Sequence, residues 1–327
     1  MTATAGSASL RRVVVRALLA SVLAVATGFA VLPGAASAQT GHHSVRNWHV
    51  WVGSESHDKA VQSMRFLPGR ITIDAGDSVT WFANSTEIHT VTFLKNDAPL
   101  PPNRPFNLQT DVLPAGGHVY DGHSYYNSGL ITTMASTDLL PPGVPLIHKY
   151  RLTFPKAGTY TYWCLVHGVM MKGVIHVQRH GARYPHTQRW YDSNARAEAH
   201  ALVVDGRRLE AKMLKSADRH HVWTGAEDNK VSVMRFLRAT VTVHVGESVT
   251  FTNPGKVTPH TVTFGKEPAP PAVFTYLPSA RYGGGDLNSF IPPGQTFKVT
   301  FTKAGTYHYV CALHDMMGMV GKVVVRP

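Results

Sequence analysis

The sequence predicts an all-β protein: two Greek-key β-sandwich domains joined by a short helical linker. Three observations carry this. Short runs alternate β-branched or aromatic residues with other residues, the period of a strand with one buried face. Apolar residues make up 43% of the 327 residues and charged residues 16%, enough for a buried core. Blocks from the first half of the chain return in the second, so the domain is duplicated in tandem.

Composition removes several classes before any motif is read. Two cysteines cannot staple a disulfide-dense scaffold or form a four-cysteine zinc site. The formal net charge is +12, but the basic residues are scattered and form no nucleic-acid motif. No nucleic acid is therefore expected as a partner. The charge suits acidic partners or a cell envelope. The 19 histidines invite a search for metal sites.

Residues 1–38 read as an export signal. Arg11, Arg12 and Arg16 form a positive head, and the apolar run Ala17–Leu32 is too short for a comfortable membrane span. Ala36-Ser37-Ala38 matches a signal peptidase site, so the mature chain starts at Gln39 and keeps no membrane span. The twin arginines hint at folded export, yet Leu10 stands where Ser or Thr is usual, so the route stays open. The expected location is extracellular, in the cell envelope or in the periplasm.

Domain 1 is expected over 39–177 and domain 2 over 219–327. His49-Val50-Trp51-Val52-Gly53 returns as His221-Val222-Trp223-Thr224-Gly225, and Met64-Arg65-Phe66-Leu67 as Met234-Arg235-Phe236-Leu237. His89-Thr90-Val91-Thr92-Phe93 returns as His260-Thr261-Val262-Thr263-Phe264, and Ala157-Gly158-Thr159-Tyr160 as Ala304-Gly305-Thr306-Tyr307. The offsets are 172, 170 and 171, then 147, so the first copy carries about 24 extra residues between its histidine and its cysteine. Ile71, Ile73, Val79 and Trp81 alternate around Ala75-Gly76-Asp77, as Val241, Val243, Val245, Val249 and Phe251 do around Gly246-Glu247. Further strands are expected at Thr90–Phe93, Tyr150–Phe154, Thr159–Cys164 and Val174–Val177, with Tyr160 and Tyr307 placed to anchor a corner.

The segment Lys95–Leu146 is rich in Pro, Gly, Asn and Ser and reads as a loop; at that length it is functional or carries small elements of its own. Residues 178–218 break the β pattern. Asp192 or Ser193 would cap a helix over 194–204, Gly206 would interrupt, and a second helix would cover 207–215. This is the linker, or a segment laid across a domain surface.

Each copy ends in a compact cluster. The first holds Cys164, His167, Met170 and Met171; the second holds Cys311, His314, Met316, Met317 and Met319. With the upstream His89 and His260, each domain has two histidines, a cysteine and a methionine. Two imidazoles and a thiolate in a plane, with a weak axial thioether, form the blue-copper set. A soft thiolate and thioether suit Cu(I), and imidazoles serve both oxidation states.

On these residues both copies resemble the type 1 copper domains of the plastocyanin, pseudoazurin and amicyanin group, the cupredoxins. The resemblance covers nearly all of 45–177 and 219–327. It implies that His89, Cys164, His167 and Met171 bind one copper and that His260, Cys311, His314 and Met319 bind the other. The cofactor is then copper in two type 1 centres. Thr90 and Thr261 follow the upstream histidines where plastocyanin has Asn; the backbone N–H there can still donate to the thiolate. The first ligand loop is one residue shorter, nearer to amicyanin, which leaves Met170 and Met171 as rival axial ligands. Register favours Met171: it precedes Val177 by six residues, as Met319 precedes Val325, and Gly173 and Gly321 each follow two residues later.

A Cys164–Cys311 disulfide is the competing use of two cysteines in an exported chain, but it would need both clusters broken. His176, His244 and His308 read as strand residues, and Met316 and Met317 as packing. His42-His43 and His220-His221 lie near domain edges and could take stray metal.

Three functions compete. The first is a soluble electron carrier, not an enzyme, with a redox donor and acceptor as partners. The second is a copper-binding or homeostasis protein of the envelope. The third is an oxidoreductase of the nitrite reductase or laccase type, which needs further copper at a domain interface. Such sites commonly flank the type 1 cysteine with histidine, whereas Trp163, Leu165, Val310 and Ala312 stand there. Oligomeric state is left open, since some two-domain cupredoxins form trimers.

Overall fold

The computed structural model describes residues 44–327, apart from 103, 141 and 142. The proposed export segment and His42-His43 lie outside the described residues.

In the first copy the strands are β1 Asn47–Glu55, β2 Val61–Leu67, β3 Arg70–Asp74, β4 Ser78–Ala83 and β5 Thr92–Phe93. They continue with β6 Tyr126–Asn127, β7 Leu130–Ile131, β8 Leu146–Ile147, β9 Lys149–Thr153, β10 Gly158–Cys164 and β11 Gly168–Gln178. A single helix, α1 Gln188–Ser216, follows. The second copy has β12 His221–Glu227, β13 Val231–Leu237, β14 Thr240–His244, β15 Ser248–Thr252 and β16 His260–Phe264. It ends with β17 Ser279–Tyr282, β18 Leu287–Ile291, β19 Thr296–Phe301, β20 Gly305–Val310 and β21 Val320–Arg326.

Each copy has a five-stranded sheet of its own, β3-β11-β10-β5-β6 in the first and β14-β21-β20-β16-β18 in the second. The facing sheets are fused. One nine-stranded sheet runs β17-β19-β15-β12-β13-β2-β1-β4-β9 across both copies. Its seam is the antiparallel pair β2–β13, with Val233 opposite Val61 and Val231 opposite Ser63. Met64 N–H donates to Lys230 O (2.8 Å) and Met234 N–H to Ala60 O (2.7 Å), so the repeated Met-Arg-Phe-Leu strands pair with each other. Fusion hides one edge of each sheet, which would otherwise be free to pair with another chain.

The seam strands are buried nearly throughout instead of alternating. Their inner face meets the sandwich cores and their outer face is covered by α1. Ala195 and Leu202 of α1 pack with Val61, Leu67 and Val231. Leu209 and Met213 pack against Val233 and Leu237. The expectation of two helices separated at Gly206 is corrected: α1 is continuous over 29 residues. At Gly206 a Cβ would lie 2.3 Å from a Val61 methyl, so the glycine marks the closest approach of helix to sheet. The local cost of a helical glycine, ~1 kcal/mol, is offset by the apolar face it allows to dock. The cap is also corrected, from Asp192 or Ser193 to Thr187, whose hydroxyl accepts from Trp190 N–H (3.2 Å). Among the described residues, no helix is long and apolar enough to cross a membrane.

Strand β5 is shorter than the expected Thr90–Phe93. The Thr90 N–H points at the Cys164 sulfur and the Val91 N–H donates to Ser128 Oγ (2.8 Å), which takes both out of the ladder. Tyr160 and Tyr307 tie corners as expected, donating to Lys156 O (3.1 Å) and Lys303 O (3.0 Å). The segment Lys95–Leu146 holds a short 3₁₀ turn at Lys95–Asp97, strands β6 and β7 and the start of β8.

Candidate metal centre

Three elements converge on each site. In the first copy His89 precedes β5, held by paired backbone bonds to Ile131 (3.0 and 2.8 Å). Cys164 ends β10 and His167 sits in the turn before β11. Cys164 Sγ lies 3.4 Å from His167 Nδ1 and 3.9 Å from His89 Nδ1, and the two Nδ1 atoms are 3.2 Å apart. In the second copy Cys311 Sγ is 3.4 Å from His314 Nδ1 and 3.8 Å from His260 Nδ1. Among the described residues these are the two clusters whose donor atoms all lie within 4.8 Å of one another. Both cysteines are free and buried, so the disulfide alternative is excluded.

The donor sets fit one metal ion each. Nitrogens about 2.0 Å and a sulfur about 2.3 Å from one ion, arranged trigonally, stand roughly 3.5–3.7 Å from each other. The observed separations bracket that range. Two imidazoles and a thiolate are also the chemistry that copper prefers.

Each sulfur is polarised toward thiolate. Burial alone would raise the Cys164 thiol, but His167 and His89 outweigh it and bring it down to about 5. Cys311 is likewise lowered by His314 and His260 against the effect of burial. Burial would lower His167, yet the Cys164 thiolate and Glu87 raise it to about 10. His314 is raised in the same way by Cys311, whereas burial lowers His260.

The threonines after the upstream histidines reach both the cysteine and the residue that follows it. Thr90 N–H points at Cys164 Sγ (3.4 Å) and Thr261 N–H at Cys311 Sγ (3.3 Å), as expected from the sequence. Their hydroxyls also accept from Leu165 N–H (2.8 Å) and Ala312 N–H (2.7 Å). The threonine thereby ties the histidine segment to the cysteine loop.

The methionines are placed by register. In β10–β11 Tyr162 faces Gly173 and Trp163 faces Lys172; in β20–β21 Tyr309 faces Gly321 and Val310 faces Val320. Met171 and Met319 are therefore equivalent, and both are fully buried in their cores. Met170 corresponds instead to Met317: its carbonyl accepts from Arg65 as the Met317 carbonyl accepts from Arg235, each at 2.5 Å.

The family model for copper binding proteins of the plastocyanin/azurin family matches residues 54–178 and again 220–326. The chain belongs to the plastocyanin/azurin family. It is a tandem cupredoxin, two copies of the family domain with α1 between them. A plastocyanin from Sambucus nigra is 36% identical over 102 residues, 31% of this chain and 95% of that protein. A chloroplastic plastocyanin from Tetradesmus obliquus is 36% identical over 130 residues, 40% of this chain and 80% of that protein. A solved structure of an amicyanin variant in its Cu(I) form is 32% identical, covering 34% of this chain and 85% of that one with a TM-score of 0.23.

Several histidines outside the two clusters have ordinary partners. His148 Nδ1 bonds Thr132 O (2.8 Å), His176 Nδ1 bonds Thr159 Oγ1 (3.1 Å) and His221 Nε2 bonds Thr252 Oγ1 (2.9 Å). His123 is exposed beside Asp121.

Sequence reasoning missed two features of this tandem cupredoxin. Gly53 and Gly225 lie directly against the upstream histidines: a Cβ would stand 2.6 Å from His89 Nε2 or 2.5 Å from His260 Nε2. The recurrence of the His-Val-Trp-x-Gly block was the available signal. Glu87 is the second. Its Oε1 lies 3.7 Å from His167 Nε2 and its Oε2 lies 3.6 Å from His314 Nε2. Burial would push this carboxyl up, but the nearby imidazoles of His167, His314 and His89 hold it at about 2. Thr258 occupies the matching position of the second copy, so no repeat pointed to Glu87.

Proposed function

We propose that the chain is an exported electron-transfer protein holding one type 1 copper per domain. His89, Cys164, His167 and Met171 would hold the first, and His260, Cys311, His314 and Met319 the second. When bound, copper supplies one-electron chemistry between Cu(I) and Cu(II). The protein's own part is to hold its donors still. His89 Nε2 is bonded to Ser85 Oγ (3.0 Å), the thiolates face threonine N–H groups, and all the donor residues are buried. The observation that carries the reading is the pair of buried triads with every Nδ1 and Sγ in one small volume. Anaerobic stoichiometric redox titration of the copper-loaded protein, followed by optical absorption, tests it. Reversible cycling of two blue centres is expected. Copper that is held but cannot be cycled by any redox partner would favour the homeostasis role.

Met171→Leu is expected to keep copper and colour while raising the potential of the first centre, because an axial thioether is a weak ligand that mainly tunes potential. Met170→Leu should shift it little. A larger shift from the Met170 change would reverse the assignment.

The protein is read as a carrier, not an enzyme. Copper-loaded protein is expected to leave nitrite unreduced and phenols unoxidised by oxygen at enzymic rates. Turnover that persists after loosely bound metal has been stripped would overturn that.

Export is supported by the charged, apolar and small-residue segments of 1–38. N-terminal sequencing of secreted protein should begin at Gln39, whereas an intact N-terminus in the membrane fraction would mean an anchor.

A further inference from the structure

The two centres meet at the interface of the domains. His167 is 1% exposed and His314 5%. Each ring turns Nδ1 to its own cysteine sulfur and Nε2 to a carboxylate that both rings share. The two oxygens of Glu87 divide between them, one toward each imidazole. At 3.6–3.7 Å these are ion-pair separations, longer than a direct hydrogen bond.

Glu87 is anchored from behind. Thr86 N–H donates to Glu55 Oε2 (2.9 Å), the Thr132 hydroxyl donates to Thr86 O (2.9 Å), and Ile88 N–H donates to Glu87 Oε1 (3.2 Å). Its Oε2 is buried with no hydrogen-bond partner. The surrounding cavity, ~360 Å³, has apolar walls that include Phe106, Leu139 and Leu140 from the long first-copy loop and Val257, Phe274 and Phe290 from the second copy. A carboxylate buried among apolar side chains costs several kcal/mol unless charges compensate it. The groups that face it are the two ligand imidazoles.

We propose that His167–Glu87–His314 is an internal bridge that couples the two metal centres, so that an electron passes between the domains inside the protein. This rests on the two-copper reading above. In the exchange one electron leaves the reduced centre and arrives at the oxidised one. No bond forms or breaks, and no proton leaves the carboxylate or either imidazole. The bridge also explains why neither histidine is presented at the surface. Electron entry from an outside partner then uses another face of the protein, and the histidine edges serve the internal step. Glu87 is a positioning residue in this scheme, touching both ligand rings but neither thiolate.

The test compares the mature wild-type protein with Glu87→Gln, which keeps the shape and removes the charge, and with Glu87→Asp, which keeps the charge on a shorter arm. Copper content, both reduction potentials and the rate of internal electron exchange after pulse reduction are measured. Proton NMR of the Nε2–H groups of His167 and His314 is recorded on metal-free and Cu(I) protein. Glu87→Gln is expected to bind two coppers, shift both potentials upward together and slow the internal exchange severalfold. Both Nε2–H resonances should move, and Glu87→Asp should restore part of each effect. A shift confined to the first domain's potential and resonance would reduce Glu87 to a structural residue of that domain and overturn the bridge. An unchanged exchange rate with two coppers bound would also overturn it. If wild-type protein binds fewer than two coppers, the two-centre reading fails, and the NMR arm still decides whether one carboxylate holds both rings.

Discussion

Cys164→Ser is expected to remove one of the two coppers and the blue absorption of the first domain, leaving the second domain's centre in place. Cys311→Ser should do the converse. The sulfur in each triad lies close to both Nδ1 atoms, at 3.4 and 3.9 Å in the first copy and 3.4 and 3.8 Å in the second. It is also the only soft anionic donor, brought toward thiolate by the adjoining histidines. A serine hydroxyl in the same place stays protonated at neutral pH and is a hard oxygen ligand, a poor match for Cu(I). The thiolate-to-copper charge transfer behind the colour goes with it. Elemental analysis and optical spectra of the two single variants check this. A wild-type chain with one copper, or loss of all colour from either change, would contradict independent sites.

Gly225→Val is expected to unsettle the second centre and the sheet seam beside it. Gly225 lies in β12 at φ +79°, in the left-handed region that a β-branched residue avoids. The added Cβ would stand 2.5 Å from His260 Nε2 and 3.0 Å from the Val233 carbonyl. Left-handed strain costs about 1–2 kcal/mol, and overpacking a filled site costs about 1–3 kcal/mol more. His260 would have to swing away from Cys311, so copper affinity should fall along with stability. Gly246→Val is the control: φ is +90° there, but nothing stands within 4 Å of a Cβ, so it should show the strain alone. Thermal melts with and without copper, together with copper stoichiometry, separate the two effects. A Gly225→Val protein that melts like wild type and keeps two coppers would show that the histidine does not depend on this glycine.

Much of this was legible because the chain repeats itself. The period-two runs and the four recurring blocks sufficed for two sandwiches and for the triads of His89, Cys164 and His167 and of His260, Cys311 and His314. Register arithmetic made Met171 equivalent to Met319, and the ladders agree, since a strand cannot slip by one residue without turning its buried face outward. The linker was read less well. Propensity treats Gly206 as a break, whereas tertiary packing uses it as the closest point of contact between α1 and Val61.

The sequence by itself determined the domain duplication, the recurring His, Cys and His cluster of each copy and the sandwich that carries it, because those depend on local period and on chemistry repeated in place. Only the tertiary structure decided how the copies join. The β2–β13 seam, the cover of α1 and the seat of Glu87 between His167 and His314 bring together residues far apart in the chain. Strand pairing at an edge depends on which backbone groups are left free once each sandwich has closed, and no side-chain pattern records that. Glu87 has no counterpart in the second copy, so nothing repeated marked it. Its place follows from the folding of two domains onto one shared sheet.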